Sequence, residues 1–266
     1  MLDEIKKEIQ YLEEKHKIKI LYAVESGSRA WGFASKDSDW DVRFIYIHDY
    51  DWYLSIDEKK DNIDTILPND IDLAGWDIRK ALLLYKKSNP PLLEWLYSPI
   101  IYKDEYSLAE KLRENTRLYF NPKSCIYHYL HMANRNYVAY FKEGIVKVKK
   151  YFYVLRPILA SCWIEKNGSM APMEFIKLLE AEELSSELKA EIYSLLTRKM
   201  NGEELDKENR IPVIDEFIET KIAHFQKMLQ EFVFENQPTN TELNAIFRNT
   251  LKEAWDYELI PQTINK

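Results

Sequence analysis

Asp39 and Asp41 flank Trp40 at the head of residues 39–47 (DWDVRFIYI), where polar and apolar residues alternate. Such alternation predicts a strand, and strand side chains two apart share one face about 6–7 Å from each other. Two carboxylates so placed raise each other's pKa unless a cation sits between them. Mg²⁺ is usually held by one or two carboxylates plus substrate phosphates, so the pair predicts a divalent ion, Mg²⁺ or Mn²⁺. Upstream, Gly27 and Ser28 precede the first aspartate by a ten-residue interval. Glycine lets the main chain approach an anion closely, Ser28 adds a hydroxyl, and a short helix over residues 28–33 would add free N–H groups. A triphosphate seat beside a metal pair has the parts of phosphoryl transfer: positioning, charge neutralisation and an activated acceptor oxygen.

The elements that must hold these residues are readable. Leu2, Ile5, Ile9 and Leu12 recur at helical spacing and predict a first amphipathic helix. Residues 17–25 (KIKILYAVE) predict a strand ending at the Ser26-Gly27-Ser28 turn. Residues 49–70 read as acidic and irregular, with a hairpin as one option. Residues 71–76 predict a further strand and residues 77–88 a helix with Asp77 as its N-cap. Pro90-Pro91 breaks the chain before a short helix over residues 92–97. A domain boundary is expected here, giving a first domain of residues 1–103 and an all-helical one of residues 104–266. In the latter, Asn121-Pro122 opens a helix that Gly144 would close, and others cover residues 146–166, with a kink at Pro157, 172–180, 186–201, 212–234 and 241–257.

Gly-Ser, a loop of this length and Asp-x-Asp on a strand resemble the motif of the polymerase beta-like nucleotidyltransferase superfamily. Ile71-Asp72-Leu73 is similar to the strand that carries its third carboxylate. More narrowly, residues 72–80 (DLAGWDIRK), Asn89-Pro90, residues 94–96 (EWL) and residues 150–157 (KYFYVLRP) resemble nucleotidyltransferases of the RlaP and YcgL type. The resemblance covers most of residues 20 to 180. It implies an α+β protein: a nucleotidyltransferase-fold mixed β-sheet flanked by helices, then a C-terminal all-α domain. It implies that Gly27 and Ser28 bind the triphosphate, that Asp39, Asp41 and Asp72 ligate metal, and that Asp72 assists acceptor activation. Arg29 would help neutralise phosphate, and Lys150, Tyr153 and Arg156 would contact nucleotide or acceptor. Tyr151 belongs with these second-domain residues, and Lys80, Asn89 and Glu94 match positions without an assigned role. The implied acceptor is an RNA 3′ end first, with a protein or small molecule as alternatives.

Each residue also has a plainer reading. Asp77 competes with Asp72 for the third carboxylate but has a helix to cap, and Asp70 shares the face of Asp72 nearer a turn. Tyr151, Tyr153 and Arg156 could form a helix's packing surface, and Lys149-Lys150 a solvated face. His128 and His131 lie three apart on a helix but lack a third metal ligand. A fold retained for nucleotide sensing, a regulatory or antitoxin-like module without turnover, is the rival from another class.

Composition narrows the classes. The chain has 266 residues, 46% of them hydrophobic, and a formal charge of −7. That charge gives no global attraction to nucleic acid, although Lys142, Lys147, Lys149 and Lys150 make a local basic strip. Cys125 and Cys162 lie far apart without metal-site spacing and predict reduced thiols, hence a cytoplasmic location. No apolar run long enough for a membrane span occurs, and neither a P-loop nor a dinucleotide fingerprint is present.

Overall fold

The computed structural model describes residues 1–67, 69–142, 144–203, 205–230 and 238–255. The chain opens with helix α1 (Leu2–His16), strand β1 (Lys19–Glu25), the one-turn helix α2 (Gly27–Ala30) and strand β2 (Trp40–Ile47). Then come α3 (Tyr50–Tyr53), β3 (Asn62–Ile66), β4 (Ile71–Asp77), α4 (Ile78–Lys86), α5 (Pro90–Leu96) and β5 (Ile101–Asp104). Helices α6 (Leu108–Tyr119) and α7 (Pro122–Tyr140) follow, then strand β6 (Ile145–Lys147) and helices α8 (Val148–Asn167), α9 (Phe175–Ala181) and α10 (Ser186–Met200). Strand β7 (Lys207–Asn209), α11 (Pro212–Gln230) and α12 (Thr241–Trp255) complete the described elements. The class is α+β, with a mixed sheet flanked by helices and helices filling the C-terminal half.

The sheet runs β3-β4-β2-β1-β5, and only β2 and β4 are parallel. Alternation along β2 sorts its side chains: Val42, Phe44 and Tyr46 join the cluster under α1, whereas Ile45 and Ile47 join the large core beneath the later helices. Asp41 and Arg43, in step with Ile45, therefore face those helices. From α1, Ile5, Ile9 and Leu12 are buried on the opposite face, each contributing about 1.5–3 kcal/mol of apolar burial.

The structure refines several expectations. Lys17 takes a left-handed conformation that ends α1, so β1 begins at Lys19. Part of the irregular acidic stretch is a strand, β3, which makes a hairpin with β4. Pro90 and Pro91 open α5 rather than break the chain: the Asn89 side chain accepts from the Leu92 N–H, and first-turn prolines lack only an N–H that has no helical partner. The helix from Pro122 stops at Tyr140, short of Gly144, because Ile145–Lys147 is drawn into a ladder with Lys207–Asn209. The expected ends of the last two helices, residues 231–234 and 256–257, lie outside the described residues. A boundary after residue 103 would fall inside β5, which pairs with β1. The larger core is continuous from Leu21 on β1 to Ala254 on α12.

Candidate active site

The turn after β1 is shaped around one carboxylate. Gly27 has φ +57°, and a Cβ placed on it would stand 2.0 Å from Asp41 Oδ2. The Ser26 N–H donates to the Asp41 carbonyl at 2.8 Å, fastening the turn to the start of β2. Gly27, Ser28, Asp39 and Asp41 line one cleft of about 320 Å³ together with Trp31, Phe33, Arg43, Lys149, Tyr153 and Lys199. Acids and backbone of the N-terminal half thus face cations from α8 and α10.

Parallel pairing sets Asp72 beside Asp41, and the Arg43 guanidinium bridges them at 3.0 Å from Asp41 Oδ1 and 2.8 Å from Asp72 Oδ2. Burial pushes the Asp41 carboxyl above the usual carboxylate range; Arg43 opposes this, and Asp72 and Asp39 add to it. Asp77, the other candidate for third carboxylate, accepts from the Arg79 N–H at 2.8 Å and from the Tyr53 hydroxyl at 2.6 Å. It is buried away from the cleft, as the cap of α4.

Among the described residues no three His, Cys, Asp or Glu side chains form a complete metal cage. Two carboxylates with open positions nevertheless fit Mg²⁺ or Mn²⁺, because substrate phosphates commonly supply the remaining oxygens. The guanidinium already seated between Asp41 and Asp72 shows that this corner accepts a cation.

With that geometry, the comparisons with known proteins become specific. A family model described as "RNA repair pathway DNA polymerase beta family", RlaP, matches residues 1–249. The chain belongs to the RlaP family. A fellow sequence, "Uncharacterized protein YcgL" of Bacillus subtilis (strain 168), is 49% identical over 255 residues, covering 96% of each chain. A solved nucleotidyltransferase-like protein from Exiguobacterium sibiricum 255-15 aligns over 92% of this chain and 89% of its own, with 10% identity and a TM-score of 0.33. Membership of this polymerase beta-type family supports a nucleotidyltransferase role, and with it a nucleoside triphosphate substrate. No helix among the described residues is long and apolar enough to cross a membrane.

Three residues for which the resemblance implied nucleotide contact, Arg29, Lys150 and Arg156, are engaged by protein groups beside the cleft. Arg29 stacks over Trp40 at 3.8 Å and donates to the carbonyls of Ser38 and Asp39, so it holds the loop that presents Asp39. Lys150 lies over the rings of Tyr140 and Tyr153, at 4.0 and 4.5 Å. Arg156 is buried, paired with Glu94 at 2.6 Å and stacked on Trp31 at 4.6 Å. It reaches the cleft only through Trp31, whose carbonyl also accepts from the Phe175 N–H at 2.9 Å.

In and behind the cleft, Arg43, Lys199 and Glu25 were not singled out from sequence, and Lys149 was read only with Lys150, as part of a basic strip or a solvated face. Lys149, four before Tyr153, and Lys150, three before it, both lie within about 60° of Tyr153 around the helix; Lys149 lines the cleft, whereas Lys150 lies over the Tyr153 ring. Arg43 has a visible signal, being two after Asp41 on the same strand face. Lys199 is nearly fully buried and donates to Ser38 Oγ at 3.3 Å, a contact across 161 residues with no local signature. Glu25, the last residue of β1, is buried; it accepts from the Asp41 N–H at 3.0 Å and from the Tyr102 hydroxyl.

Burial pushes the Glu25 carboxyl up from 4.5 to about 7, against the opposing pull of those two hydrogen bonds. Folded Glu25 keeps its proton to higher pH than the unfolded chain does. Its stabilising contribution is therefore complete below pH 4.5 and is lost as pH rises toward about 7. Glu25→Gln can still accept from the Asp41 N–H through its amide oxygen and can donate from its amide nitrogen to the Tyr102 hydroxyl oxygen, and it has no proton to lose. Calorimetric melting should show the wild type losing up to about 2 kcal/mol relative to this variant between pH 5 and pH 8. Parallel pH profiles for the two proteins would show that Glu25 ionises freely inside the fold.

Proposed function

We propose that this chain transfers a nucleoside monophosphate from a nucleoside triphosphate to an acceptor hydroxyl with release of pyrophosphate, using Mg²⁺ or Mn²⁺ held by Asp39 and Asp41. The observation that carries the reading is the assembly of one cleft from a glycine turn, two aspartates and two lysines of distant helices. The turn at Gly27 and Ser28 seats the phosphates on backbone N–H groups, and Lys149 and Lys199 balance their charge. The ion, when bound, neutralises charge building on the transferring phosphoryl group. Asp72 stands beside Asp41 on the neighbouring strand, where it can accept the proton of an incoming hydroxyl. Tyr153 and Trp31 offer ring faces to a base or sugar at the cleft wall.

An RNA 3′ end is the acceptor we favour, in keeping with the family's description. A protein hydroxyl or a small molecule is the alternative. The net charge of −7 points to a short terminus guided by local cations, rather than to a long duplex held by counterion release.

The test uses purified protein, each α-labelled triphosphate in turn, Mg²⁺ or Mn²⁺, and separate RNA, protein and small-molecule acceptor pools. Wild type should label one pool in a metal-dependent way, and Asp39→Asn/Asp41→Asn should not. Equal labelling by both proteins would refute the assignment. Calorimetric triphosphate binding without product in any pool would favour the rival, a nucleotide-binding regulatory or antitoxin-like module.

A further inference from the structure

Arg43 is bonded as a cation site is filled. Nη2 donates to both Asp41 Oδ1 and Asp72 Oδ2, and Nη1 donates to the carbonyls of Asp72 and Val42 at 2.9 and 3.1 Å. Its side chain is only 18% exposed, between carboxylates that are 28% and 37% exposed. The parallel register of β2 and β4 puts the two acids in adjacent positions on one face. Like charges so close destabilise each other, and a single guanidinium nitrogen shared between them removes most of that repulsion.

We propose that Arg43 is a built-in counter-ion which a divalent ion must displace from the Asp41–Asp72 pair, so that metal enters the cleft with the triphosphate and not ahead of it. The proposal rests on the transferase reading above. An ion arriving alone must break two charge-assisted hydrogen bonds at Arg43 and share the corner with a fixed positive charge. An ion arriving on a triphosphate brings its own negative charge and several of its own oxygen ligands. Arg43 itself lines the cleft, so a released guanidinium remains where phosphate oxygens would lie and can pair with them. Lys149 and Lys199, on the far wall, favour the same order by repelling a bare cation and attracting its phosphate complex.

The experiment measures free Mn²⁺ by electron paramagnetic resonance during titration of wild type, Arg43→Gln, Arg43→Lys and Asp39→Asn/Asp41→Asn, with and without a non-hydrolysable triphosphate. Without nucleotide, Arg43→Gln should bind Mn²⁺ on the order of tenfold more tightly than wild type, because a charge beside the ligands is gone. Arg43→Lys keeps the charge and should stay close to wild type. Added triphosphate should narrow the gap between Arg43→Gln and wild type. Should Arg43→Gln bind no more tightly than wild type, or Arg43→Lys tighten as much as it does, the counter-ion role is overturned. If Arg43→Gln does not fold, nitrogen-15 spectra of the wild-type guanidinium decide: Mg²⁺ with triphosphate should shift the Arg43 resonances, and unchanged resonances overturn the proposal. Wild type that binds no Mn²⁺ even with triphosphate, or a double aspartate variant that binds as well as wild type, would instead sink the transferase reading.

Discussion

Gly27→Ala is expected to lower metal-dependent labelling by on the order of a hundredfold while the protein still folds. Two separate effects meet at this position. The backbone sits at φ +57°, where any residue with a Cβ pays about 1–2 kcal/mol. The added methyl would also fall 2.0 Å from Asp41 Oδ2 and 2.8 Å from its carboxyl carbon, so either the turn or the carboxylate must move. A shift of about 1 Å in a positioned group costs about a hundredfold in rate. Steady-state labelling at saturating triphosphate and a melting curve on the same preparation separate the two effects. The turn would lose its assigned part if the variant labelled at the wild-type rate.

The second large effect falls on stability. Arg156→Ala should lower it by about 3–5 kcal/mol, a fall of about 10 °C in Tm for a chain of this size. Arg156 and Glu94 have side chains 4% and 10% exposed, and the Tyr129 hydroxyl also donates to Glu94. Removing the guanidinium leaves a buried carboxylate with no cation, and strips Trp31 of the plane it stacks on. Replacing both partners by apolar residues of similar volume, Glu94→Leu with Arg156→Met, removes the uncompensated charge and should recover most of the loss. Calorimetry on the two variants provides the check. A single variant as stable as wild type, or a double variant less stable than the single one, would contradict this account of the pair.

What the sequence made legible was local. Alternation over residues 39–47 and the glycine at position 27 located the strand, the turn and both aspartates, because each depends on neighbours within a few residues. Asp72 was within reach as well, since its strand has its own apolar flanks, Ile71 and Leu73. The cations were harder. Arg29 is a basic residue next to the glycine turn, and the indole of Trp40 and two loop carbonyls engage its guanidinium. The choice between Lys149 and Lys150 depended on the rotational phase of α8, which the pair of lysines alone does not fix. Arg156 follows Tyr153 along that helix but points to a deeper level, where Glu94 of α5 awaits it. Lys199 was out of reach, because its position follows from the packing of α10 against a loop far back in the chain. Around the division after residue 103, likewise, long-range packing is what the sequence does not display: β5 pairs with β1, and the core beneath the sheet is shared with the later helices.

The two lysines opposite the aspartates have a consequence for how the protein comes into being. A nascent chain carries its acidic motif early in synthesis, but the wall that balances it arrives only when Lys199 has cleared the ribosome. Until then Asp41 and Asp72 have Arg43 between them but no opposite wall, so the cleft is completed only once α10 is in place.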